Sequence, residues 1–204
     1  MPENDTYKTI RSASSGQYKE KGSRFVSAAY PVSDEQEIRS ITDGIRKERH
    51  EARHHSYAYL LGSGEPVWRA NDDGEPSGTA GKPILGQIRS FGVTNVLIVV
   101  SRYFGGTLLG ASGLINAYRR AAHDALNNAE IIEHVIEESY EIVFPYASMN
   151  DTMKIIKEEE IVQSGHSFGL ECRITVGIRL SSREKILARF SRIDGLNYKF
   201  LYVR

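Results

Sequence analysis

The spacing of apolar residues along this chain changes several times, and each change marks an element. Ile38, Ile41 and Ile45 recur at intervals of three and four, which predicts an amphipathic helix of about four turns capped by Ser33 or Asp34. Before it, residues 24–32 read as a strand ending at Pro31, and the first twenty residues read as a loose arm or an edge strand. Residues 56–61 and 67–70 read as strands around a turn at Ser63, Gly64 and Pro66. Ile84, Leu85, Ile88 and Phe91 predict a second helix, and the β-branched run 93–100 predicts a strand covered on both faces. Residues 101–107 (SRYFGGT) read as a tight turn. A long helix follows, with Leu108, Ala111, Ile115, Tyr118, Ala122 and Ala125 on one side. Gly110 and Gly113 each cost that helix about 1 kcal/mol relative to Ala, so a close approach by another element is expected there.

After Glu133 the texture changes. Tyr140, Ile142, Phe144 and Tyr146 alternate, as do Cys172, Ile174, Val176, Ile178 and Leu180, so both runs predict half-buried strands. Helices are predicted on Met149, Met153 and Ile156 and on Ile186, Leu187, Phe190 and Ile193. With short strands near 161–163 and 196–203, the order is βαββαβ, the ferredoxin-like pattern. The expected class is α+β with two domains, residues 1–135 and 136–204.

Composition narrows the function. The 204 residues hold 26 Lys and Arg against 26 Asp and Glu, so no overall cationic field draws the chain to nucleic acid or lipid, and any such binding needs a local patch. A single cysteine, Cys172, excludes an internal disulfide framework and a Cys-rich zinc site and suits a reducing, cytoplasmic setting. The longest apolar run, 96–100, is far shorter than the ~20 residues that span a bilayer, and the polar first eighteen residues predict no secretory signal.

Several motifs invite chemistry. His50-Glu51-Ala52-Arg53-His54 satisfies the H-E-x-x-H zinc pattern, but it sits at a predicted helix end with a strand directly after it, where both imidazoles cannot share one helical face. Asp72, Asp73 and Glu75 could hold one weak Mg²⁺, although surface turns favour Asp-Gly for their own sake. Residues 71–83 (NDDGEPSGTAGKP) form a shaped, glycine-rich loop that ends beside Lys82, and a second glycine loop follows Arg102; neither is a Walker A or G-x-G-x-x-G element. Each feeds a helix N-terminus, where free N–H groups and the helix dipole favour an anion, unless Ser77, Thr79 and Thr107 simply cap those helices. Tyr103 and Phe104 adjoin the second loop and either pack or stack on a base. No nucleophile context surrounds Cys172 or the serines.

Four segments carry a resemblance: Lys21-Gly22-Ser23-Arg24-Phe25, Ala52-Arg53-His54-His55, the run 72–83 (DDGEPSGTAGKP) and the run 102–110 (RYFGGTLLG). On these the chain resembles the IMPACT family in its bacterial, YigZ-type form, over essentially its full length. The resemblance implies an N-terminal domain like the second domain of a small-subunit ribosomal protein and like elongation factor G domain IV. It also implies a C-terminal ferredoxin-like domain similar to elongation factor G domain V. The eukaryotic namesake is a translational regulator that restrains the starvation-activated eIF2 kinase by binding that kinase's activator. It carries an additional RWD domain, for which no room is expected before Lys21. The family has no established catalytic residues to carry over.

The resulting expectation is a cytoplasmic, non-catalytic regulator of translation that binds RNA or the ribosome through a basic, glycine-rich surface of the N-terminal domain. Lys21, Arg24, Arg53, His54, His55, Gly81, Lys82, Arg102, Gly105 and Gly106 would receive phosphates, with Tyr103 as a stacking ring. No cofactor and no membrane are expected, and the C-terminal sheet, with Arg173, Arg179 and Lys199 on strands, could receive a protein partner. The alternative is an Mg²⁺-dependent enzyme acting on a phosphorylated small molecule or nucleotide, with Asp72, Asp73 or Glu75 holding the metal.

Overall fold

A computed structural model describes residues 5–203, which divide into two compact units, Tyr7–His134 and a second made mainly of Val135–Arg204. The mixed α/β, two-unit architecture expected from the sequence is present.

In the first unit, β2 (Ser14–Glu20), β3 (Ser23–Pro31), β4 (His54–Leu61), β5 (Val67–Asn71) and β6 (Val96–Tyr103) form one sheet in the order β2-β3-β6-β4-β5, with antiparallel neighbours throughout. β1 (Thr6–Ile10) and β7 (Ile131–Val135) form a separate two-stranded pair. The first residues of the chain therefore supply two strands where the sequence pattern suggested one at most. β6 is central, and its alternate side chains divide between two cores, as its β-branched run predicts. Val96, Ile98 and Val100 pack with α2 (Gly81–Ser90) and α3 (Gly110–Asn127), whereas Leu97 and Val99 pack with Ile38 and Ile45 of α1 (Glu35–Glu48). Asp34 caps α1 by accepting from the Glu37 N–H at 2.8 Å.

α1 ends at Glu48, so His50 lies beyond the helix and His54 opens β4, and the H-E-x-x-H spacing has no helical face to act from, as its place in the sequence predicts. Two readings are corrected here. β6 runs on through Arg102 and Tyr103, so these residues stand on a strand and not in a turn, because both β3 and β4 continue to pair with them. No close approach explains Gly110: a Cβ there would meet open space, and its φ of +68° is what requires glycine. The tight contact lies instead at Gly16, where a Cβ would stand 2.4 Å from the Ala125 nitrogen as β2 crosses α3. Trp68 lies on β5, half-exposed, with the Arg89 guanidinium 5.0 Å from its ring.

The second unit contains β8 (Glu137–Pro145), α4 (Met149–Glu158), β9 (Val162–Ser167), β10 (Glu171–Arg179), α5 (Arg183–Phe190) and β11 (Asn197–Val203). Its sheet has the order β11-β8-β10-β9, all antiparallel. Tyr140, Ile142 and Phe144 of β8 and Cys172, Ile174, Val176 and Ile178 of β10 form one core with α4 and α5. Tyr146 leaves the predicted strand face: the strand stops at Pro145, and the tyrosine is exposed in a single 3₁₀ turn. Among the described residues, no helix is long and apolar enough to cross a membrane.

Candidate functional site

The loop 71–83 is shaped from within by its own carboxylates. Asp73 and Gly74 turn the chain at φ +48° and +85°, which leaves three acidic side chains pointing to different partners. One oxygen of Asp72 accepts from the Ala80 and Gly81 N–H groups at 2.9 and 2.8 Å, and the other accepts from Gly78 N–H at 2.8 Å. Burial alone would raise the Asp72 carboxyl, but these three hydrogen bonds, with Lys82 nearby, hold it below the usual carboxylate range. Gly81 fits because a Cβ would come within 2.5 Å of the Asn71 nitrogen. The N-terminus of α2 thus holds an internal anion already. Lys82 is exposed beside it and makes no ion pair with a described residue, and the Gly81 N–H expected to receive a phosphate at this corner donates to Asp72 instead.

Asp73 holds Arg46 at 2.5 Å and accepts from the His55 N–H at 2.6 Å. Burial raises its carboxyl, and those partners outweigh burial and lower it overall. His55 is buried. Its Nε2 lies 3.1 Å from the Arg49 carbonyl oxygen, which can only accept, so Nε2 carries the proton; burial holds the imidazole below its ordinary pKa and keeps it neutral.

Glu75 turns inward and is 3% exposed at its side chain. Arg102 Nη1 donates to both its oxygens at 2.7 and 3.0 Å, and the Tyr118 hydroxyl of α3 donates at 2.7 Å. Burial, assisted by the Glu75 charge, pushes the Tyr118 phenol far up, so it serves as a donor throughout the working pH range. His54 pairs with Arg102 across β4 and β6; its Nδ1 donates to the Asp73 carbonyl at 2.8 Å, which leaves Nε2 directed 3.9 Å from Glu75. Arg102 and His55 were expected on a phosphate-binding surface. Both are inside, on opposite faces of a sheet that is covered on both sides here, and Glu75 neutralises the arginine. The acidic triplet does not form an Mg²⁺ set either: Asp72 faces α2, Asp73 faces α1 and Glu75 faces β6. Among the described residues no group of three or more His, Cys, Asp or Glu could hold a metal.

The remaining predicted residues lie on the rim. Gly105 fits against the β2–β3 turn so closely that a Cβ would stand 1.9 Å from the Gly22 carbonyl carbon, and its N–H reaches the Ser23 hydroxyl at 3.2 Å. Gly106 is exposed at φ +85°. Lys21 is exposed in the β2–β3 turn. Arg24 is exposed and lies 4.4 Å from the ring centre of Tyr103, its cross-strand partner; Arg53 is likewise exposed, 5.3 Å from the Phe104 ring. Lys21, Arg24, Arg53 and Lys82 make no ion pair with any described residue. Beside this rim, under the start of α3, is a cleft of about 360 Å³. Pro76, Phe104, Leu108 and Leu114 supply its apolar wall, and Arg53, His54, Glu75 and Arg102 its polar wall.

Sequence patterns missed Tyr118 and Leu108 as site residues, because each fits a helical stripe. One signal was available: between Glu75 and Asp124 the sequence has no carboxylate side chain, so its basic residues must find partners elsewhere or stay free.

Residues 21–126 match the Impact N-terminal domain, more than half of the chain. The chain is 39% identical over 128 residues to the IMPACT family member YvyE of Bacillus subtilis, covering 63% of this chain and 59% of that protein. It is 39% identical over 108 residues to the IMPACT family member YigZ of Escherichia coli, covering 52% and 53%. The matches thus span little more than half the length of those relatives. A crystal structure of a hypothetical protein superposes with a TM-score of 0.69 at 25% identity, over 97% of this chain and 98% of that one. The family model covers all four segments quoted above and the whole loop-and-rim assembly, so this chain belongs to the IMPACT family.

Proposed function

We propose that this protein is a non-catalytic, cytoplasmic regulator of translation that contacts RNA or the ribosome through the cationic rim of the Tyr7–His134 unit. The observation that carries the reading is the way its charges are held. Arg24 and Arg53 rest on aromatic faces instead of carboxylates, and Lys21 and Lys82 join them exposed and unpaired. A guanidinium lying on an aromatic ring offers a phosphate its donors and a base its ring plane, the combination that single-stranded nucleic acid favours. The second unit treats its strand arginines differently. Arg173 pairs with Glu171 and Glu141, and Arg179 pairs with Asp5. Membership of the IMPACT family supports a role in translation. The sheet order β11-β8-β10-β9 supports reading the second unit as ferredoxin-like, similar to elongation factor G domain V, with the first unit similar to domain IV and to the second domain of a small-subunit ribosomal protein. The Mg²⁺-dependent alternative finds less support, since Asp72, Asp73 and Glu75 each face a different partner within the unit.

Filter binding to single-stranded RNA and co-sedimentation with ribosomes, across a salt series, test this. Wild-type affinity should fall with salt at a log–log slope of about −0.7 per phosphate contact, and Arg24→Gln/Arg53→Gln should remove about 1.4 from the slope. Equal binding by wild type and double variant at low salt would overturn the reading.

A further inference from the structure

We infer that the cleft under the first turn of α3 binds a small organic monoanion with an apolar body, an arylalkyl carboxylate in type, at a site that shares only its edge, Arg53 and Phe104, with the proposed RNA-contacting rim. Its volume of about 360 Å³ lies within the ~300–1,000 Å³ typical of small-molecule sites. One wall is apolar and unusually open: Leu108 is 83% exposed and Phe104 39%, side chains that gain by covering. The other wall counts to a single positive charge. Glu75 cancels Arg102, and Arg53, which pairs with no carboxylate among the described residues, is the uncompensated cation.

Two further features point to an anion. α3 is eighteen residues long and begins at Gly110 with no side-chain cap, so its first N–H groups and the positive end of its dipole are not held by a side chain, and Gly110 and Ala111 are part of the cleft lining. Arg102 is part of the wall, its side chain only 8% exposed, and its Nε has no acceptor among the described residues. Buried guanidinium nitrogens are ordinarily satisfied. A carboxylate at the α3 terminus would answer the uncapped N–H groups and add acceptors beside that guanidinium, while its body covers Leu108 and Phe104.

The test is a titration of the ¹⁵N-labelled full chain with 4-phenylbutyrate, followed by amide chemical shifts, with neutral 4-phenylbutanamide as the control. Saturable shifts at Gly110, Ala111 and Ser112 are expected in the millimolar range or below. The amide should bind about tenfold more weakly, the scale of a charge-assisted hydrogen bond. Arg102→Met would strand Glu75 and endanger the fold, so the diagnostic variant is Ala111→Phe on the exposed first turn. It fills the cleft and should weaken the carboxylate at least about tenfold while leaving the RNA salt slope unchanged. Equal affinity for carboxylate and amide, shifts confined to other residues, or unchanged binding by Ala111→Phe would each overturn the inference, whatever the outcome for RNA.

Discussion

Two glycine-rich corners of the first unit lead into two helices, and the chain finishes them in opposite ways. At α2, Asp72 reaches forward six, eight and nine residues and occupies the approach to the terminus with three hydrogen bonds. At α3, Leu109 stands in the capping position with no side-chain oxygen, and the terminus opens on a cleft. Both corners have glycine, threonine and a nearby cation. What separates them is one carboxylate placed earlier in the chain. A helix terminus is available to an outside anion only where the fold has not already supplied its own.

The largest test of this contrast lies behind it, in the pair that shapes the shared wall. Glu75→Leu leaves Arg102 buried without its carboxylate and should cost about 3–5 kcal/mol in urea unfolding, and Glu75→Leu/Arg102→Met should recover most of that. A small loss in the single variant would mean that the wall is wetter than its burial implies. Next comes Gly81→Ala. Its Cβ meets the Asn71 and Ala70 backbone at 2.5 and 2.9 Å, so α2 must shift from β5 at a cost of about 1–3 kcal/mol.

Asp72→Ala removes the internal anion and should cost about 2 kcal/mol at neutral pH, at the upper end for a lost cap. The folded carboxyl lies below its unfolded value, so this contribution is complete above the unfolded pKa of about 3.9 and is lost as pH falls through the lower folded value. Urea midpoints of parent and variant should therefore differ by a constant amount above about pH 5 and converge in acid. The smallest effect sharpens the comparison most. Ala111→Glu places a carboxylate at the unoccupied terminus and should stabilise the unit by about 0.3–1 kcal/mol at low salt. Lys82→Glu, at the terminus Asp72 already holds, should give no gain. Equal gains at both positions would erase the distinction between the corners.

Much of the framework was legible from periodicity. The Ile38, Ile41, Ile45 stripe and the alternation from Cys172 to Ile178 place α1 and β10, since both reflect a single buried face. The failures share a physical cause. Ser101 and Arg102 read as turn residues because they are polar, yet they occupy buried strand positions where Glu75, 27 residues away, makes an arginine tolerable. Asp72 read as a surface acid because its partners lie beyond a turn whose path depends on Asp73 adopting a positive φ. For the candidate site, the residue types were visible and their direction was not. Sequence spacing grouped eleven phosphate-binding candidates, and the fold divides them into an exposed cationic rim and an internal lattice that supports it.

Trp68 and Cys172 give this chain a built-in pair of reporters. The single indole sits on β5 beneath Arg89, and the single thiol is sealed in the core of the other unit. Indole fluorescence, excited selectively over the eleven tyrosines, therefore follows only the first unit during denaturation, whereas thiol labelling counts openings of the second. A mismatch between the two curves would measure directly whether the halves melt together or one at a time, without a tag or an added dye.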